Sequence, residues 1–214
     1  MERKNKSNIM LVLSGIIVGS LMSSILGFIK YKADPSSELA SITYWTMGSF
    51  SGVDENNLLV MFLILIPPII ITILMSWWLD VLSMGENEAK TLGANTKLIK
   101  VILIICSTLL TAGAVCIAGT IGWVGLIVPH FARMLVGSSN KKVIPASIII
   151  GAIFMLIIDT LTRVIGVDEM PVSILTGIIG VPFFVFLMYK RRKNVKWFLK
   201  LIIYLFLIIQ KKKF

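Results

Sequence analysis

The sequence predicts an all-α fold: a polytopic helical membrane protein of about six transmembrane helices, with one short helix at the outer interface and another on the cytoplasmic side. Three observations carry this expectation. First, 57% of the 214 residues are hydrophobic, only 15% are charged, and the mean hydropathy is +0.91. A soluble domain of this size must keep its surface polar and cannot hide that much apolar area. Second, the apolar residues come in runs close to the length of about 20 that a spanning helix needs. These runs are 9–29, 58–79, 101–118, 121–136, 143–161 and 171–189. Third, Lys and Arg are unevenly placed along the chain. If the N-terminus lies inside and each run crosses once, Arg3, Lys4, Lys6, Lys90, Lys97, Lys100, Arg133, Lys141, Lys142 and Lys190–Lys193 fall inside. Only Lys30, Lys32 and Arg163 fall outside, beside Asp34, Glu38, Asp54, Glu55, Asp168 and Glu169. This is the positive-inside pattern, and it puts both ends of the six-span core in the cytoplasm. The net charge of +10 therefore reports topology and gives no reason to expect a nucleic-acid partner.

The elements follow in order. Met1–Asn8 is basic and leads into an apolar stretch too long for a signal-peptide core, so 9–29 reads as a retained span. Within it Gly15, Gly19, Ser23 and Gly27 recur every four residues and put small side chains on one face, where another helix can pack closely. The segment 36–52 is too polar to span and too aromatic for a free linker. It reads as a short helix at the outer interface, with Tyr44 and Trp45 at the boundary. Pro67–Pro68 should kink the second span and free backbone carbonyls. Gly113, Gly119, Gly122 and Gly125 mark a further close-packing region between the third and fourth spans. Cys106 and Cys116 share one apolar run and read as packing residues rather than a disulfide. After Tyr189 the pattern changes: residues 194–214 form an appended basic and apolar tail whose run 197–209 is too short to span, and an interfacial helix is expected there.

No enzyme site is visible, and no cofactor or metal is called for. The single histidine, His130, stands beside Pro129 and reads as structural. No phosphate-binding loop occurs, so any ATP must be bound by another chain. Two constellations remain. Ser83 with Glu86 three residues on has the spacing of a capping box, and Gly93 with Lys90 before it fits a helix stop. A helix of about two and a half turns is predicted between them, on the cytoplasmic side. It can be a connector, or a rigid element that receives a push from a soluble partner. Asp159 and Arg163 are one turn apart, acid first, and can pair on one face near the outer end of the fifth span.

Several segments, in this order, resemble the FecCD family, the permeases of ABC importers for iron–siderophores, haem and cobalamin. They are YWTMGSFSG (44–52), GENEAKTLGA (85–94), GTIGWVGLIVPHFARMLVG (119–137), DTLTR (159–163) and EMPVSILTGIIGVPFFVFLM (169–188). The resemblance covers residues from about 8 to 192. It implies a permease domain over 1–193 in a bacterial inner membrane, moving an iron chelate or related metal complex. It further implies an ABC ATPase subunit docked on Glu86, Glu88, Ala89 and Gly93. An extracytoplasmic substrate-binding protein would meet Arg163 and Glu169. Thr120, Trp123 and Ser173 depart from the family's usual proline, phenylalanine and glycine. Family members usually have ten spans in two inverted halves, and this chain begins near the fifth. A second permease copy, or a companion fragment with the earlier spans, is therefore expected beside it in the lipid. Two other readings stay open: a non-transporting remnant of a split gene, and a secondary transporter, for which ionisable residues deep in the spans are lacking.

The expected topology puts Glu88 and Lys142 inside and Glu38 and Asp168 outside. Single cysteines at these positions, in a Cys106/Cys116-free background, are to be labelled on intact cells with an impermeant thiol reagent. Labelling is expected at 38 and 168 only, and labelling at 88 without 38 would reverse the topology.

Overall fold

The computed structural model describes residues 2–50, 53, 55–165 and 170–191. Every regular element among them is a helix: α1 Glu2–Lys32, α2 Glu38–Met47, α3 Glu55–Leu74, α4 Ser76–Met84, α5 Glu86–Thr91, α6 Thr96–Ala118, α7 Val124–Val136, α8 Asn140–Ile165 and α9 Val172–Arg191. The tail 194–214, Asp168 and Glu169 lie outside the described residues. Contacts group the chain into two compact units, Met1–Thr46 and Met47–Phe214.

In the first unit, α1 carries an apolar stretch, Val12–Lys32, long enough to cross a bilayer. Its small residues line up as expected, but a Cβ on Gly15, Gly19 or Gly27 would meet nothing within 4 Å, so the unit itself supplies no partner for that face. The chain turns into α2 around Asp34. The Ser36 N–H and the hydroxyls of Ser36 and Ser37 donate to its carboxylate, while its own N–H donates to Glu38 Oε2. These donors, the Ser36 amide foremost, then the Ser37 hydroxyl, hold the Asp34 carboxyl below the usual carboxylate range. Lys30 Nζ reaches Thr46 Oγ1 at 3.1 Å and ties the end of α1 to the end of α2. The short helix expected within 36–52 is therefore present, as ten residues.

In the second unit, α6 and α8 are each long and apolar enough to cross, and α3 with α4 form one bent pair that passes the same test together. With α1 that makes three such helices, or four if the bent pair is one span; six is not reached. The expected fourth span is only the 13 residues of α7, about 20 Å of helix against a hydrocarbon core of about 30 Å. The described apolar part of α9, Val172–Val185, is also short.

The bend also departs from expectation. α3 runs through Pro67–Pro68, with Thr72 Oγ1 bonded to the Pro68 carbonyl at 2.7 Å. The axis turns by 49° only at Met75, whose backbone (φ −85°, ψ 3°) sits in the bridge region. Just past the bend, Trp77 and Trp78 meet edge to face with ring centres 4.6 Å apart.

Close contacts fix the remaining helices. A Cβ on Gly113 of α6 would lie 2.8 Å from Leu65 Cδ2 of α3, whereas one on Gly122 or Gly125 would meet nothing within 4 Å, so of these three expected close-packing glycines only Gly113 is in tight contact. Cys106 is buried and Cys116 exposed, and both are free, so only the first is a packing residue here. Trp123 is the one described non-glycine residue with positive φ (68°). Its side chain lies in a slot on α9, where a Cβ on Gly180 would fall 2.6 Å from Trp123 Cβ. At the same end, Ser49 N–H donates to Ala118 O and Val172 N–H to Gly48 O. Within the second unit, residues 48–49, 118 and 172 thus gather at one end, and 80–86, 100 and 139–140 at the other.

Gly180→Ala is expected to cost about 1–3 kcal/mol, because the clashing atom is a Cβ that cannot swing away. Gly151→Ala, whose Cβ would sit 3.6 Å from Val128 Cγ1, is expected to be neutral or slightly stabilising. Thermal unfolding in detergent separates the two; equal melting temperatures would mean that the Trp123 slot is not tight.

Candidate coupling site

The candidate site is the α4–α5–α6 segment. Ser83 does not cap a new helix: it lies inside α4, and its hydroxyl donates to Asp80 O at 2.6 Å. The break comes at Gly85, whose backbone (φ 142°, ψ 155°) no helix admits, and α5 starts at Glu86 without a side-chain cap. The helix is six residues long, shorter than the sequence suggested.

Its end follows the predicted stop. Gly93 takes φ +79°, its N–H donates to Lys90 O, and Ala94 N–H donates to Ala89 O. These two bonds make a Schellman motif in which Ala89 and Ala94 are the paired apolar positions. Both are buried, with Val81 of α4 and Ile99 of α6, and Met75, Trp78, Leu82 and Leu103 pack around them. Asn95 then caps α6, its Oδ1 accepting from Leu98 N–H at 3.3 Å. α5 is therefore held on one side by an apolar seat and closed at its end by backbone bonds.

The residues expected to dock a partner divide accordingly. Ala89 is fully buried in the seat, and Glu86 turns toward α6 and pairs with Lys100. Ala89 thus helps seat α5, while the Glu86 side chain, in its pair with Lys100, stays about a third exposed. Glu88 and Gly93 are exposed, and so are Met84 and Leu92, apolar side chains four residues before and four after the acid in the sequence.

Asp80 shows nothing of this role in the sequence, although a lone carboxylate after an apolar run is a signal worth following. Its Oδ1 accepts from the backbone N–H (2.8 Å) and Nδ2 (2.7 Å) of Asn140, and its Oδ2 from Ser139 Oγ (2.9 Å). Arg133 of α7 donates to Asn140 Oδ1 and to Ser138 O, both at 3.1 Å. At the far end of α8, Arg163 Nε meets Asp159 Oδ2 at 3.0 Å, the expected pair, with the Arg163 side chain about half exposed. Glu169, expected beside it, lies outside the described residues.

Residues 1–190 match the FecCD transport family. The chain belongs to that family. Among curated relatives it is 39% identical to the molybdate import system permease protein MolB of Haemophilus influenzae, over 88% of this chain and 56% of that protein. It is 34% identical to the hemin transport system permease protein HmuU of Yersinia pestis, over 86% of this chain and 55% of that one. A structure described as an inward-facing conformation of a metal-chelate type ABC transporter superposes with a TM-score of 0.82 at 40% identity, covering 85% of this chain and 59% of the other. The chain thus spans about half the length of the curated relatives it matches. The FecCD match makes it part of a multi-pass membrane permease rather than an enzyme.

At Gly93 the space is open, so substitution there costs backbone strain and not a clash. Gly93→Val is expected to open the Schellman turn by about 1–2 kcal/mol, while Gly93→Asn keeps most of it. Amide exchange at Ala94 should quicken about 5- to 30-fold in the first variant and little in the second. Equal rates would show that the turn does not hold α5.

Proposed function

We propose that this chain forms the membrane permease part, over residues 1–193, of an ABC importer for an iron chelate or related metal complex. The observation that carries this reading is α5: an ordered helix, seated on one side, that leaves Glu88 exposed, with Met84 and Leu92 exposed four residues before and four after it in the sequence. Free loops between spans need no such seat; a surface that must transmit force does. Hydrolysis would occur on a separate ATPase subunit, and cargo would be delivered by an extracytoplasmic binding protein meeting Arg163 at the other end. A second copy or a companion chain would complete the path. The names of the relatives, molybdate import and hemin transport, support a metal-containing cargo in this reading.

Six crossings remain part of the proposal. The link 119–123 ahead of α7 adds up to about 16 Å of extended chain to its 20 Å of helix, enough together for a bilayer core. Non-helical backbone at that depth must find partners within the protein, and Gly119 N–H, Ala118 O and Gly122 O are bonded to Val115 O, Ser49 N–H and Val124 N–H.

The test uses tagged chain purified from its native membranes. Glu88→Lys is expected to lower co-purifying P-loop ATPase about fivefold or more, the scale of one lost interface contact, without changing membrane insertion. Arg163→Glu should leave the ATPase in place and weaken the binding protein chiefly at low salt, as rim charges do. Full ATPase retention and hydrolysis with Glu88→Lys would make α5 a connector.

A further inference from the structure

We infer that Asp80 is the positioning residue through which a displacement of α5 reaches the α7–α8 turn, with α4 acting as the lever between them. The functional meaning of this lever rests on the coupling reading above; the mechanical link does not.

Three independent features make α4 a lever. It is set off from α3 by the 49° bend at Met75, so it need not move with the membrane-crossing part of the pair. Its residue Val81 is buried in the seat of α5, against Ala89. Its preceding residue, Asp80, takes three hydrogen bonds from Ser139 and Asn140, 59 and 60 positions away. Adjacent residues of one short helix thus hold the candidate docking helix on one side and the start of α8 on the other.

The bonds are too specific for a general stabilising contact. Ser139 immediately precedes α8, where a serine ordinarily accepts from the first turn of its own helix. Here its hydroxyl donates to Asp80, and the first amide of α8, that of Asn140, is also satisfied by Asp80. The helix start is therefore capped by another helix. Bonds to an ionised carboxylate are roughly twice as strong as neutral ones and favour an N-terminal helix end. The connection continues to α7, because Asn140 Oδ1 accepts from Arg133, which also grips Ser138 O. A push on Ala89 would pass to Val81 and Asp80, then to Asn140, and from there to the ends of α7 and α8.

The test is a cycle read by a spin label at Leu135→Cys, an exposed position at the end of α7, with Cys106 and Cys116 replaced. Ala89→Leu supplies the push without any partner, because the seat has no room for a larger side chain. With Asp80 present, this push is expected to change the label's spectrum. With Asp80→Ala the response should fall at least about fivefold, the lower range of coupling between sites. Asp80→Asn is nearly isosteric, keeps an acceptor for the Asn140 amide and should give an intermediate response; it decides the matter if the alanine variant melts early. In the ATPase-bound complex, ATP replaces Ala89→Leu as the push, and the ATPase should remain bound in both variants. A label response unchanged by Asp80→Ala and Asp80→Asn would overturn the inference, as would loss of the ATPase in both, which would place Asp80 on the docking surface. If the native chain binds no ATPase while the partner-free cycle behaves as expected, the lever stands and the coupling reading falls.

Discussion

Between apolar helices in an apolar medium, burial favours no particular neighbour, since a lipid tail serves as well as a leucine. The arrangement of this chain therefore depends on a few directional contacts, and the carboxylate of Asp80 is the one on which most else turns. It caps the start of α8, ties α4 to it and engages α7 through Asn140. Burying a carboxylate is costly unless its lone pairs are filled. Asp80 is only partly buried and has three donors, so the contact is specific without a large desolvation cost.

The opposite end of the bundle is organised by shape. Trp123 keeps a backbone conformation that a large residue normally avoids, at a cost on the order of 1–3 kcal/mol. The strain persists because the indole fits against Gly177 and Gly180 of α9 and stands 6.3 Å from the Phe184 ring. A polar hub at one end and a steric slot at the other hold the same helices, and neither involves a large buried core.

The long elements were legible in the sequence, because the stretches in α1, α6 and α8 are continuous and near bilayer length. The FecCD resemblance was legible too, from several motifs in order. What misled was local pattern taken without its surroundings. Ser83 and Glu86 have capping-box spacing, but Gly85 between them adopts φ 142° and ends the helix instead. Pro67 and Pro68 suggested the bend, yet α3 absorbs them and turns at Met75, where no sequence signal stands. The apolar character of 121–136 concealed a non-helical start, since hydropathy does not distinguish a helix from an extended link. Of the residues expected to dock a partner, Glu88 and Gly93 are exposed, Glu86 is partly exposed and paired with Lys100, and Ala89 is buried, a difference of facing that spacing on so short a helix does not give. Asp80 could not be paired from sequence, because its partners lie 59 and 60 residues away.

The tryptophan pair at the bend has a consequence for how the chain sits in its bilayer. Indole rings prefer the headgroup level, where an apolar body and a polar N–H are both accommodated. Trp77 and Trp78 come two and three residues after Met75, so the aromatic pair and the change of axis lie within one helical turn. With the rings at that level, the rest of α4 and α5, Asp80 included, would lie toward water, where a carboxylate can remain ionised at little cost. A thicker or thinner bilayer would act on the chain at this ring pair first, tilting α4 against α3, so that lipid composition becomes a mechanical variable for the helices it anchors.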